Sequence, residues 1–73
     1  MKTLYITIKQ DLELHHDSHS ADSVESAMRY AHNYEAANFM GKAPQPIRWQ
    51  LTIEGWLESH REWAGNSIRY IIK

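Results

Sequence analysis

The sequence predicts an α+β fold, in which a three-stranded, largely antiparallel sheet carries one long helix packed on one face. Apolar and polar residues alternate in three stretches, 3–9, 47–53 and 68–73, and a period of two is typical of half-buried strands. Apolar residues spaced by three and four positions lie between the first two stretches, as in an amphipathic helix. We therefore expect the order β-α-β-short α-β within one domain, residues 1–73.

The first strand is predicted from Thr3 to Lys9. One side of it carries Leu4, Ile6 and Ile8, and the other carries Tyr5, Thr7 and Lys9. The alternation continues to Leu14, so we expect the strand to extend that far, with a bend near Asp11. A hairpin that turns at Gln10 and Asp11 is disfavoured, because neither residue adopts positive φ angles as glycine does. Residues 15–20 are then expected to form a polar loop.

The long helix is predicted to begin near Asp22 and to stop at Gly41. Asp22 and Glu25 have the spacing of a capping box, and Ser20 is a competing N-cap. One apolar stripe follows, which consists of Val24, Ala27, Met28, Ala31 and Tyr34. Gly41 favours a C-terminal stop, and two prolines follow it, so we expect a helix of about 18 residues.

The rest of the chain predicts a connector, a strand, a short helix and a last strand. Residues 43–46 contain both prolines and form a stiff connector. The alternation then places four residues on the core side of the second strand: Ile47, Trp49, Leu51 and Ile53. After Gly55 the spacing of apolar residues becomes helical from Trp56 to Ala64. A bulged strand that continues through Gly55 is the alternative.

Composition and charge restrict the class of protein. The chain has no cysteine, which excludes a disulfide framework and a thiolate zinc site. No apolar run is long enough for a membrane span or a signal-peptide core, so we expect a soluble, cytoplasmic protein without a membrane partner. The net charge is only −1, but acidic residues concentrate between residues 11 and 35 and basic residues in the predicted strands. The two signs of charge can therefore lie on different sides of the fold.

The polar face of the predicted sheet is the first candidate binding surface. It is expected to present Tyr5, Lys9, Arg48, Gln50, Arg69 and Lys73. Such a face suits an acidic protein partner. The alternative is a nucleic acid, because basic side chains around an aromatic can hold phosphates while a base stacks. Tyr5 is the one stacking residue that the sequence predicts on this face.

Two further features predict association with other chains. Trp56 and Trp63 are expected on one face of the short helix, either packed in the core or forming an apolar patch for a partner. The outer strands of the sheet have unpaired edges, so homodimerisation by strand addition is a second route to association.

His15, His16 and His19 are weak candidates for a metal site, because neutral imidazoles bind zinc, nickel and copper. In a mobile loop they lack the rigid supports of a designed site, so we expect no metal and no cofactor, and a metal-responsive protein is a second alternative function. The chain has no nucleophile-elbow motif, no phosphate-binding glycine loop and no paired carboxylates. We therefore expect no enzyme.

In size, in β-α-β-β character and in its cysteine-free composition, the chain resembles the small accessory proteins of temperate bacteriophages and prophages. Proteins of that kind bind a host or phage protein and alter its activity. The resemblance implies a non-enzymatic protein-interaction module, which modulates a host protein through the basic sheet face or an exposed edge strand.

Overall fold

One helix and five strands make up the computed structural model, which describes residues 1–73. The elements are β1 (Lys2–Gln10), β2 (Glu13–Ala21), α1 (Val24–Phe39), β3 (Gln50–Leu51), β4 (Leu57–Trp63) and β5 (Asn66–Ile72). The strands form one antiparallel sheet in the order β2-β1-β5-β4-β3. The fold is α+β with one helix, but the predicted three-stranded sheet and the order β-α-β-short α-β were wrong.

β2 replaces the predicted strand extension and polar loop. Gln10 pairs with Glu13, so β1 and β2 are joined by the two-residue turn of Asp11 and Leu12. Asp11 adopts φ of 56°, in the left-handed region that aspartate tolerates better than most residues do. A hairpin therefore forms where the sequence disfavoured one, but its turn is at Asp11 and Leu12 and not at Gln10 and Asp11. β2 could not be recognised by alternation, because polar residues occupy both of its faces.

β4 replaces the predicted short helix. It follows a tight turn in which the Gly55 N–H donates to the Thr52 carbonyl at 3.0 Å and the Thr52 N–H donates to the Trp56 carbonyl at 2.7 Å. β4 and β5 are then joined by Ala64 and Gly65, whose φ angles of 46° and 81° are those of a hairpin turn. The alternative of a strand in this region was correct about the element, although Gly55 lies in a turn and not in a bulge.

The alternating segment 47–53 forms much less strand than its pattern predicts. Within it, Gln50 and Leu51 alone pair with β4. Leu51 is 73% exposed and Ile53 is 100% exposed, so their predicted place in the core was wrong. Ile47 and Trp49 do pack against the core, although neither lies in a strand.

The predicted long helix is confirmed as α1, and the predicted N-caps were wrong. Ser23 caps the helix, and its side-chain oxygen accepts a hydrogen bond from the Ser26 N–H at 3.1 Å. The helix ends where Met40 and Gly41 adopt φ angles of 51° and 76°, as the glycine predicted. The helix lacks the length and apolar character needed to cross a membrane.

The core lies between one face of the sheet and two covering segments. α1 packs over β2, β1 and β5, and it buries Ala27, Ala31 and Phe39. One helix is too narrow for five strands, and residues 43–49 cover the remaining part. In that segment Ala43 is buried, and the ring of Trp49 lies 5.7 Å from the ring of Tyr70. The connector is therefore part of the core, and not only a link between elements.

A buried ion pair joins the helix, the connector and β4. Glu35 is 2% exposed, and its carboxylate pairs with the guanidinium of Arg61 in β4. Gln45 Nε2 donates to the same carboxylate at 2.9 Å, and Arg61 also donates to the Pro44 carbonyl. Burial lowers the pKa of Arg61, an effect that the neighbouring Tyr70 opposes. This network ties the connector to the two elements that it covers.

Tyr70 supplies a prediction for alkaline pH. It is fully buried, and its hydroxyl donates to the Ala31 carbonyl at 3.3 Å. Burial is the main cause that raises its pKa well above the ordinary 10.0, although the charge of Arg61 acts in the opposite direction. In the unfolded chain this tyrosine loses its proton near the ordinary pKa of about 10, whereas in the folded chain it keeps the proton to higher pH. Above a pH of about 10 the unfolded chain therefore binds fewer protons, and the free energy of unfolding decreases as pH rises.

We expect the melting temperature to decrease above a pH of about 10, and to decrease less in a Tyr70→Phe variant. At neutral pH the variant should lose about 1 kcal/mol of stability with the hydrogen bond. Thermal unfolding followed by circular dichroism across the alkaline range checks both effects. Equal pH dependence in the two proteins would contradict the role of the buried hydroxyl.

Candidate interaction surface

The second face of the sheet is covered by no other element. We call it the open face. Residues that pair directly across an antiparallel sheet share a face, and the partners of buried Leu4, Ile6 and Ile8 lie on the helix side. The other residues of each strand therefore form the open face: Thr3, Tyr5, Thr7, Lys9, Leu14, His16, Ser18, Ser20, Gln50, Glu58, His60, Glu62, Ser67, Arg69 and Ile71.

An aromatic patch lies at one end of the open face. We define it by Tyr5, Trp56, Ile71 and Lys73. The Lys73 ammonium lies 4.0 Å from the centre of the Trp56 ring and 5.2 Å from the centre of the Tyr5 ring. Tyr5 pairs with Ile71 and is 43% exposed. A cation between two aromatic rings beside an aliphatic side chain is a surface that can bind both apolar and anionic groups.

The open face is less basic than the sequence predicts. Arg69 pairs with Glu58 at 2.6 Å, and Glu62 lies 3.6 Å from the ring of His60. Both carboxylates come from β4, which the sequence assigned to a helix. Lys9 and Lys73 form no ion pair. Free positive charge on this face is therefore limited to two lysines.

The six residues predicted for the basic face do not all lie together. Tyr5, Lys9, Arg69 and Lys73 lie on the open face. Gln50 lies at its margin in β3, opposite Glu58. Arg48 lies outside the strands and lines a polar cleft of about 480 Å³ with Gln50, Glu58, Ser59, His60 and Arg61.

Trp56 and Trp63 lie on different faces of the sheet, so they do not form the apolar patch that was the alternative to packing in the core. Trp56 precedes β4 and joins the open face through its contact with Lys73. Trp63 ends β4 on the helix side, where its ring meets Phe39 edge to face at 5.3 Å. The period of a strand sends residues an odd number of positions apart to opposite faces. Trp63 is thus a packing residue, and Trp56 belongs to the candidate surface.

The three histidines of residues 15–19 belong to β2 and do not converge. His15 and His19 lie on the helix side, where His15 contacts Glu13 at 3.2 Å and His19 stacks on Tyr30 with ring centres 3.6 Å apart. His16 lies on the open face, and its Nδ1 is 3.2 Å from the Thr7 hydroxyl. No group of three or more histidine, cysteine, aspartate or glutamate side chains is arranged to hold a metal ion. Residues 15–20, which were predicted as a polar loop, belong instead to β2.

Comparison with known proteins identifies no family. No protein-family model matches the chain, and neither the curated proteins nor the solved structures contain a match.

The sequence missed the open-face residues that β4 supplies, which are Glu58, His60 and Glu62, and the neighbouring Trp56. Their positions depend on β4, whose inward residues are Leu57, Ser59, Arg61 and Trp63. Two polar residues in that set conceal the period of the strand. The available indication was the pair of glycines at 55 and 65, which mark turns at both ends of a seven-residue segment that a hairpin could contain.

Proposed function

We propose that this protein is a non-enzymatic interaction module, which binds an acidic segment of another protein at the aromatic patch. The observation that carries the proposal is the position of the Lys73 ammonium between the rings of Tyr5 and Trp56 on an uncovered sheet face. Lys73 forms no ion pair within the chain, so its charge is available to a partner carboxylate. The rings supply the apolar contact area that anchors an interface.

The class of partner is part of the same proposal. The resemblance to accessory proteins of temperate phages and prophages favours a bacterial host protein, whose activity the module alters by binding. A cytoplasmic location agrees with the absence of cysteine from the chain. Lys9, at the far end of the open face, adds a second free positive charge for an elongated acidic segment.

The test compares two variants with the same change of charge. Lys73→Glu alters the aromatic patch, whereas Lys42→Glu alters an exposed lysine just beyond α1, away from the open face. We expect proteins captured from a bacterial lysate by the wild type to be retained by Lys42→Glu and lost by Lys73→Glu. With the purified partner, Lys73→Glu should raise Kd at least about tenfold. Equal Kd values for the two variants would rule out the patch as the binding surface.

A single-stranded nucleic acid is the second candidate partner, and the position of Trp56 favours it. The sequence predicted one stacking residue on this face, and the structure adds a second beside the same cation. Glu58 and Glu62 oppose it, because they place negative charge on the face that phosphates would approach. Fluorescence anisotropy with labelled single-stranded oligonucleotides separates the candidates. Binding that decreases with salt and is lost in Lys73→Glu supports this one, and no binding at low salt eliminates it.

A further inference from the structure

β2 is a long edge strand with no neighbour on its outer side. It is first in the sheet order, and all nine of its residues pair with β1 alone. Every second residue of such a strand directs its N–H and C=O groups away from the sheet, where another strand can bind them. The opposite edge is different, because β3 covers part of β4 there. β2 is therefore the longest continuous site for strand addition in the fold.

The side chains of β2 select the partner. On the helix side, acids and imidazoles alternate in the order Glu13, His15, Asp17, His19. The first two are well exposed, with 77% and 57% of their side-chain surface accessible. When two copies of this order pair antiparallel, each acid can lie opposite an imidazole. An imidazole N–H donates to a carboxylate whether the ring is neutral or protonated. A second copy of this chain fits the edge.

We propose that two copies of the chain associate through antiparallel pairing of β2 with β2, in the register that places His16 opposite His16 of the second copy. This register puts Glu13 opposite His19 and His15 opposite Asp17, and the two-fold symmetry repeats both contacts. The two sheets join into one continuous sheet of ten strands. Both helices lie on the same side of it, and the two open faces lie together on the other.

Neighbouring registers of the same type are less favourable. Centring the pair on Asp17 places two Asp17 carboxylates opposite each other. Centring it on His15 places Glu13 opposite Asp17, twice. Centring it on Ser18 keeps only the contact between Asp17 and His19. Like charges directly opposite one another destabilise a strand pair, so the charges alone favour the register centred on His16.

The dimer does not depend on the partner proposed for the aromatic patch. Tyr5, Trp56 and Lys73 lie on the open face, and β2–β2 pairing leaves that face exposed in each copy. Dimerisation brings two aromatic patches onto one surface, so a partner with two acidic segments could contact both. Failure of the dimer is thus distinguishable from failure of patch binding, because the first is measured by mass and the second by partner affinity.

Single-cysteine variants can determine the register, since the chain has no cysteine of its own. His16→Cys places two thiols opposite each other across the symmetry axis, within the separation that a disulfide requires. Ser18→Cys is the matched control on the same face, and its thiol faces Leu14 of the second copy. We expect mild oxidation to convert His16→Cys to a covalent dimer at least about tenfold faster than Ser18→Cys. Equal rates, or faster crosslinking at residue 18, would overturn the proposed register.

A charge exchange tests the pairing without crosslinks. Asp17→His places imidazole opposite imidazole, and we expect it to raise the dimer Kd about tenfold. The double variant His15→Asp/Asp17→His restores an acid opposite an imidazole and should return the Kd to near the wild-type value. Analytical ultracentrifugation measures both, and circular dichroism confirms that each variant is folded. A wild-type chain that stays monomeric at all concentrations, or a double variant no better than the single one, would contradict the proposal.

Discussion

Replacing Glu35 by alanine is expected to lower the free energy of unfolding by about 3–5 kcal/mol, because it leaves the guanidinium of Arg61 buried without a counter-charge. The carboxylate of Glu35 also accepts a hydrogen bond from Gln45, so the connector loses a contact at the same time. A domain of this size has a total stability of about 5 kcal/mol. We therefore expect the variant to retain at most about 2 kcal/mol of stability, as measured by urea denaturation.

A double variant separates the cost of an unpaired charge from the value of the ion pair. Glu35→Leu/Arg61→Met removes both charges and keeps side chains of similar volume, and exchanges of this kind are often neutral or stabilising. We expect it to be markedly more stable than either single variant. The matched control is Glu58→Ala, which breaks the exposed pair with Arg69 and should cost at most about 1 kcal/mol. Additive effects of the two single changes would contradict a coupled buried pair.

Trp49→Ala is expected to destabilise the protein by about 2 kcal/mol, whereas Leu51→Ala and Ile53→Ala should each change stability by less than about 0.5 kcal/mol. The alternating pattern of residues 47–53 predicts that all three side chains lie in the core. In the structure Trp49 packs on Tyr70, while Leu51 is 73% exposed and Ile53 is 100% exposed. Chemical denaturation of the three variants therefore compares the sequence pattern with the tertiary structure directly.

The result for Trp49 also tests whether the connector closes the core. Its large effect depends on residues 43–49 covering the parts of β5 and β4 that α1 leaves open, as Trp49 does on Tyr70 and Pro44 on Arg61. If Leu51→Ala or Ile53→Ala were as destabilising as Trp49→Ala, the segment would have to pair as the full strand that the alternation predicts. Far-ultraviolet circular dichroism of the folded variants shows whether secondary structure is retained.

The sequence predicted the elements whose covered side is apolar throughout. In β1 and β5, every residue that faces the helix near the centre of the sheet is apolar, so the period of two is unbroken. α1 has the corresponding period of a helix, and Gly41 marks its end. These three elements lie at the centre of the fold, where the hydrophobic effect acts on consecutive turns or alternate residues and leaves a readable pattern.

The elements that the sequence missed lie toward the margins of the sheet. β2 has exposed polar side chains on both faces, and as the first strand of the sheet it has a neighbour on one side only. In β4 the inward positions include Ser59 and Arg61, and the charge of Arg61 is compensated by Glu35, 26 residues away in the chain. A pattern of hydrophobicity cannot reveal a buried charge whose partner is distant in sequence.

The residues of the candidate surface also fall into two groups, those that the sequence predicted and those that it missed. Tyr5, Lys9 and Arg69 were correctly placed on one face, because β1 and β5 could be identified from their alternation. Trp56 and the β4 carboxylates Glu58 and Glu62 lie on that face only because β4 and β5 form a hairpin. The predicted surface was basic, and the observed one is an aromatic patch with a single central lysine beside mixed charges.

By itself the sequence determined that an apolar sheet face packs against one amphipathic helix, because the local periodicity of apolar residues indicates which side of each central element is buried. Only the tertiary structure decided which residues cover the rest of that face and which side chains gather on the other. The alternation from Ile47 to Ile53 predicts a strand. In the structure, packing on Tyr70 buries Trp49, and the hydrogen bond between Gln45 and Glu35 holds the connector over the core. Contacts between distant segments outweighed a local pattern, and they left Leu51 and Ile53 in solvent.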